Sequence, residues 1–152
     1  MNTLTFSYRN GLDVVPSTIV EDVTISIESI NQSIGLYEVS DFRKELLLKM
    51  KQRGWSDNVL LDKVSKISIT GEKERCGLCL QTGNVSRIYA DLLKLQTLFL
   101  QNKIKAGVII LPTVKCAKDY TSNAATYERL NRELNIFDQV ITVPLVIIGF
   151  YN

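Results

Sequence analysis

"GLCLQTGN", residues 77–84, is an apolar run that gives way to a polar turn. A short apolar run bounded by turn residues reads as a strand buried on both faces. Cys79 and Gln81 lie two residues apart in it, and a strand sends alternate side chains to the same face. A thiol and an amide are therefore aimed together toward the strand's carboxyl end. Gly83 and Asn84 supply the turn. Beyond them the period changes, with Ile88, Leu92, Leu95 and Phe99 at helical spacing in "VSRIYADLLKLQTLFLQ".

Working outward, "KISIT" (residues 66–70) alternates with Ile67 and Ile69 on one face, and "NVLLDKV" before it is another short strand. The charged stretch "GEKERCG" reads as the turn that pairs "KISIT" with "GLCLQT" in an antiparallel hairpin. Upstream, "DFRKELLLKMKQRGW" is a helix with Phe42, Leu46 and Met50 inward and a basic outer face. Ser40 is its expected N-cap and Gly54 its stop. Downstream, "AGVIILPT" (residues 106–113) and "VPLVIIGFY" are buried strands around a helix in "SNAATYERLNREL", which Ser122 or Asn123 would cap. In the first forty residues "VTISIESI" (residues 23–30) alternates like a strand, with a helix as the other reading. The order implies an α/β chain, a mixed sheet flanked by helices, in a single compact domain. Residues 41–152 form its core, and residues 1–40 an N-terminal segment packed on it.

The 152 residues are 45% hydrophobic and 22% charged, as in ordinary soluble domains. A net charge of +2 neither establishes nor excludes a nucleic-acid partner. The chain has no histidine, which removes the usual general base, the usual zinc set and any Ser-His or Cys-His nucleophile. No apolar run is long enough to span a membrane. With an odd number of cysteines and no signal peptide, a reducing cytoplasmic setting is expected. Cys76 and Cys79 spell C-x-x-C, but only Cys116 remains to complete a metal site, so buried thiols are the plainer reading.

The same motifs carry a family resemblance. "LCLQTGN" resembles the central strand of the BglII/BstYI type II restriction endonucleases, within the PD-(D/E)xK nucleases, where E-x-Q precedes Ser-Asn or Gly-Asn. "GVIILPT", "TSNAATYERLNREL", "IFDQV" and "VPLVIIGF" are similar to that family's later strand, loop, helix and final strand. The resemblance runs over roughly residues 41–150 and implies a restriction-endonuclease-like fold. In such enzymes an Asp and a Glu hold Mg²⁺, which polarises the scissile phosphate and helps generate hydroxide. Carried over, Gln81 matches the family Gln, Cys79 stands where the Glu belongs, and Thr70 stands where spacing puts the Asp. Neither replacement is a hard anionic ligand at pH 7.

Nearby acids offer rescue. Asp62 is the candidate migrated metal ligand, Glu45 a helix-borne acid facing the site, and Glu72 and Glu74 read as a solvated hairpin tip. For DNA contact, Gly83 and Asn84 match the base-reading turn, Ser122 and Asn123 a second recognition loop, and Arg87 and Lys94 belong to a locally basic set. Helix capping is the structural alternative for each Ser and Asn. Three readings follow: a DNA-binding protein with a degenerate metal site, an active Mg²⁺-dependent type II deoxyribonuclease with relocated acids, or a nuclease-fold assembly or protein-binding module. The residues favour the first, without enzymatic activity. The implied partners are double-stranded DNA and a second copy of the chain in a homodimer.

Overall fold

The computed structural model describes residues 1–31 and 39–152. The chain begins with β1 (Asn2–Tyr8), followed by the short α1 (Gly11–Val14), α2 (Ser17–Glu28) and α3 (Val39–Gln52). Next come β2 (Val59–Asp62), β3 (Ile67–Ile69), β4 (Gly71–Lys73) and β5 (Cys76–Leu80). The remainder alternates: α4 (Arg87–Leu100), β6 (Ala106–Pro112), α5 (Val114–Ala117), α6 (Tyr127–Glu133) and β7 (Leu145–Tyr151).

The main sheet has the order β1-β7-β6-β5-β4. Its centre is parallel, β5 with β6 and β6 with β7, and both edge pairs are antiparallel. Every residue of β5 and β6 is buried, which explains why both read as unbroken apolar runs. Helices cover both faces. On one, Ile19, Val23 and Ile27 of α2 and Phe42, Leu46 and Met50 of α3 pack with Leu78, Val108 and Ile148. On the other, Ile88, Leu92, Leu95 and Leu98 of α4 pack with Cys79, Ile109 and Ile147. This is the expected mixed sheet between helical layers.

Four details differ from the sequence reading. "VTISIESI" lies mostly in α2, because Val23 and Ile27 are buried whereas Ile25, which an alternating strand would place beside them, is exposed. β1 is an edge strand that the first residues gave no clear sign of. Ser40 lies inside the first turn of α3 instead of capping it. The helix in "SNAATYERLNREL" starts only at Tyr127, with Thr126 in the cap position, so neither Ser122 nor Asn123 caps it. Gly54, just past α3, has φ +88°, in keeping with its expected role as the stop. Residues 32–38 of the expected N-terminal segment lie outside the described residues.

The hairpin is also rearranged. β3 pairs with β2 in a separate ribbon, and it is β4 that pairs with β5. The chain reverses at Glu74 and Arg75, both at positive φ, as a two-residue hairpin turn requires. Thr70 joins the two arrangements. Its N–H donates to Leu78 O at 2.8 Å, and its Oγ1 accepts from Leu80 N at 3.0 Å. The sheet thus gains Thr70 at the flank of β5 although Ile67 and Ile69 do not pair there.

Candidate nucleic-acid site at the end of the central strand

At the carboxyl ends of parallel strands the chain leaves the sheet and side chains from several elements converge, the usual place for a ligand in an open α/β sheet. Here an open cleft of about 620 Å³ lies between α3 and α4 at the end of β5. Its charged lining comprises Arg43, Arg87, Lys94 and Asp91.

Gln81 continues the sheet by one bond, its N–H donating to Ile110 O at 2.9 Å. Its side chain is held at both ends: Nε2 donates to Asp91 Oδ2 at 2.9 Å, and Oε1 accepts from Gly83 N at 2.9 Å. Asp91, 6% exposed, takes Lys94 Nζ on its other oxygen at 3.0 Å. Both carboxylate oxygens therefore have partners. Arg43 approaches from the opposite face of the sheet, where Nη1 donates to Leu80 O at 2.9 Å and Thr82 Oγ1 at 3.1 Å. Burial pulls the Arg43 pKa down, the Asp91 carboxylate opposes this, and the nearby Arg87 guanidinium adds to the lowering. Arg87 itself is exposed, and its guanidinium makes no hydrogen bond or ion pair among the described residues.

Cys79 faces α4, as does Gln81, but it lies sealed beneath the cleft at 2% exposure. Burial raises its thiol pKa well above the usual value, and the Asp91 carboxylate pushes the same way. The sulfur is thus a neutral thiol at pH 7. Cys76 points into the other core layer, so the C-x-x-C pair is split across the sheet, and all three cysteines are free and buried.

The expected residues fall into distinct places. Thr70, Gln81, Gly83, Arg87 and Lys94 line the cleft. Glu45 is outside it, paired with Lys49 at 3.5 Å on α3. Asp62 is exposed at the end of β2, where its Oδ2 accepts from Ser65 N at 2.5 Å and closes the turn to β3. Those hydrogen bonds hold the Asp62 carboxyl below the ordinary carboxylate range. Glu72 is part of β4, and Glu74 is exposed in the turn. Among the described residues, no group of three or more His, Cys, Asp or Glu side chains could hold a metal ion.

The two expected recognition loops are joined. Val85 N donates to Asn123 O at 3.0 Å and Ala125 N to Gly83 O at 2.9 Å, so residues 83–85 run antiparallel to residues 123–125. Asn84 and Asn123 are both exposed there, beside exposed Ser122. Asn84 Oδ1 accepts from Ser86 N and Ser86 Oγ, both at 2.9 Å. Its amide NH₂ therefore points outward with no partner among the described residues, offering donors but not a free acceptor.

Sequence reasoning missed Asp91 and Arg43. Asp91 carried a usable sign: three residues from Ile88 and four from Leu95, it stands on the apolar stripe of α4, where an acid is buried only with a partner. Arg43 carried none, being one more cation in a basic helix.

A model of the family described as restriction endonuclease BglII/BglIII matches residues 5–150. The chain belongs to that family. Its fold is similar to that in the crystal structure of restriction endonuclease BglII complexed with a DNA 16-mer, with TM-score 0.88, 13% identity, and coverage of 100% of this chain and 77% of that one. The crystal structure of free BglII gives TM-score 0.77 at 13% identity, covering 100% and 80%. No curated protein matches the chain. At such low identity the structural likeness speaks for the fold, while the family match takes in the second half of β1 and all of α2 as well as the core. Both lie in the N-terminal stretch whose role was open from the motifs.

Proposed function

We propose that this BglII-family chain binds double-stranded DNA without metal-dependent hydrolysis. The observation that carries the reading is the charge of the cleft. Where the family resemblance calls for a carboxylate pair around Mg²⁺, Thr70 and Cys79 are neutral, and Arg43, Arg87 and Lys94 surround a single acid already engaged by Lys94 and Gln81. Mg²⁺ demands oxygen ligands in near-octahedral array. The side-chain oxygens of Asp91, Gln81 and Thr70 already accept from protein donors, and a divalent cation would meet three positive side chains. The residues present do not fit the metal. They fit a polyanion, whose phosphates are drawn by Lys and Arg, with Gly83, Asn84, Ser122 and Asn123 in the paired loops as the base-facing edge.

The partner set includes a second copy of the chain. Leu93 and Leu100 on α4 and nearby Val140 are exposed apolar residues, and Tyr89, Leu92, Phe137 and Ile141 line a groove with Leu93 and Val140. An exposed apolar patch favours self-association. Free, buried cysteines suit a reducing cytoplasm.

A second reading has one observation in its favour: Asp91 is a carboxylate beside Gln81, delivered by a helix, and would be the relocated acid of an active nuclease. The test is duplex-DNA binding by fluorescence anisotropy in EDTA, with plasmid cleavage followed in Mg²⁺ and Mn²⁺. Binding that weakens with salt, with no cleavage, is the expected result. Cleavage that disappears in Asp91→Asn would replace the proposal with the active enzyme.

A further inference from the structure

Two arginines enter the cleft from opposite faces of the sheet, and both have unused donors. Arg43 spends Nη1 on Leu80 O and Thr82 Oγ1, which fixes the guanidinium plane. Its Nε and Nη2 have no acceptor among the described residues. The Arg87 guanidinium has no partner among them, and it lies close enough to Arg43 for the two charges to repel. Asp91 attracts Arg43 more strongly than Arg87 repels it, but this one carboxylate is also bonded by Gln81 and Lys94, so three cations share a single acid. Like charges left facing one cleft gain most from an anion between them. Arginine's planar fork of donors matches the oxygens of a phosphate.

The geometry points to this cleft as a metal-independent oxyanion site, in which Arg43 and Arg87 clamp the oxygens of one phosphate while the Asp91–Lys94 pair backs them. The site rests on the DNA-binding reading only for the source of its phosphate, a phosphodiester of duplex DNA. Free inorganic phosphate has the same oxygen chemistry and serves as an independent probe. Lys94 is bonded directly to Asp91, which also attracts Arg43, so the three cations around one acid leave a net positive field with Arg87 its exposed member. A site of this kind needs no divalent ion, and Mg²⁺ would compete for the phosphate instead of bridging it.

Two measurements on the whole chain test this. The first is a salt series of DNA-binding isotherms in EDTA and in Mg²⁺, for the parent and for Arg87→Met, Arg43→Met and Arg43→Lys. The exposed Arg87 makes its variant safe for folding, and Arg43→Lys keeps the charge if Arg43→Met unfolds. The second is a titration with inorganic phosphate, read from the arginine side-chain N–H resonances. Chelation should strengthen DNA binding or leave it as it is, never weaken it, Arg87→Met should flatten the dependence of log K on log salt by about 1, and phosphate should shift the Arg43 and Arg87 signals. DNA binding with an unchanged slope in Arg87→Met and no phosphate-induced shift would overturn the site and leave the DNA reading standing. DNA affinity that requires Mg²⁺ would also overturn it. Phosphate shifts without any DNA binding would support the site and overturn the DNA reading, and the absence of both would remove the two together.

Discussion

Asp91 sits where its two possible histories give opposite results. As a buttress it neutralises Lys94 and anchors Gln81. Asp91→Asn then breaks a largely buried ion pair and should cost about 2–3 kcal/mol in urea unfolding. Removing the only acid among the charged residues of the cleft should at the same time tighten DNA binding. As a catalytic ligand it would be needed for cleavage, and the same change would abolish activity. Cys79 gives a related test. Placing a carboxylate there by Cys79→Glu buries a second anion against Asp91 in a fully packed layer, so unfolding measurements should show a loss of about 3 kcal/mol or more. The cysteines also set a pH limit. Burial raises the pKa of Cys116 to about 11, with Asp119 adding to it, and raises Cys76 and Cys79 as well. A thiol with its folded pKa raised prefers to stay protonated in the fold. Its contribution is complete below its unfolded pKa near 9.0 and is lost as pH climbs toward 11. At pH 10.5 Cys116 alone should have lost on the order of 2 kcal/mol relative to pH 7. Denaturant midpoints at the two pH values check this, and an unchanged midpoint would mean that the thiol is not buried in solution. At this scale Gln81 and Thr70 were legible because motif and spacing put them at the strand's end, and Arg87 and Lys94 only as cations of the helix that follows. Asp91 and Arg43 were not, because their significance comes from two helices meeting across a sheet, and neither helix's sequence encodes the other's position.

The position of α4 depends on two strand residues without side chains. A Cβ on Gly77 would come within 2.8 Å of Leu95, and one on Gly107 within 2.9 Å of the same residue. Leu95 therefore rests directly on the backbone of β5 and β6, and that close approach brings Asp91 within reach of Gln81 one turn earlier on the helix. Gly77→Ala should push Leu95 outward and cost about 1–3 kcal/mol as an overpacked core. Thermal unfolding measures the loss. If α4 also lifts, the Gln81 side-chain amide resonances will shift. The strands that read most clearly, β5, β6 and β7, are those buried on both faces, where an apolar run has only one interpretation. The elements that misled are half-exposed. In α2 the trio Ile19, Val23 and Ile27, spaced by four, fits a strand and a helix equally well, and only the exposure of Ile25, which the sequence does not display, breaks the tie. The register of the hairpin was hidden for another reason: "KISIT" and "GEK" are consecutive, and their separation between two sheets is decided by Thr70, whose bonds to Leu78 and Leu80 are tertiary.

For the molecule as a whole, a net charge of +2 conceals a concentration of cations at one end of the sheet. Overall charge was uninformative for that reason, while the order of strands and helices sufficed for the fold. On the α4 side, the proposed homodimer leads to a direct expectation. Leu93→Asp, on an exposed position of the apolar groove, should shift sedimentation from dimer toward monomer while the far-UV circular dichroism of the fold stays unchanged. A parent chain that sediments as a monomer at every concentration would remove the dimer.

The far edge of the sheet has a mechanical consequence. β1 runs antiparallel to β7, with Asn2 opposite Tyr151 and Tyr8 opposite Leu145. A load applied at residues 2 and 151 would pull on adjacent strand ends, perpendicular to the ladder, and part the hydrogen bonds one after another instead of shearing them together. The first strand should peel away like a zipper at low force, exposing the β7 edge while the parallel centre and the cleft at its end stay intact.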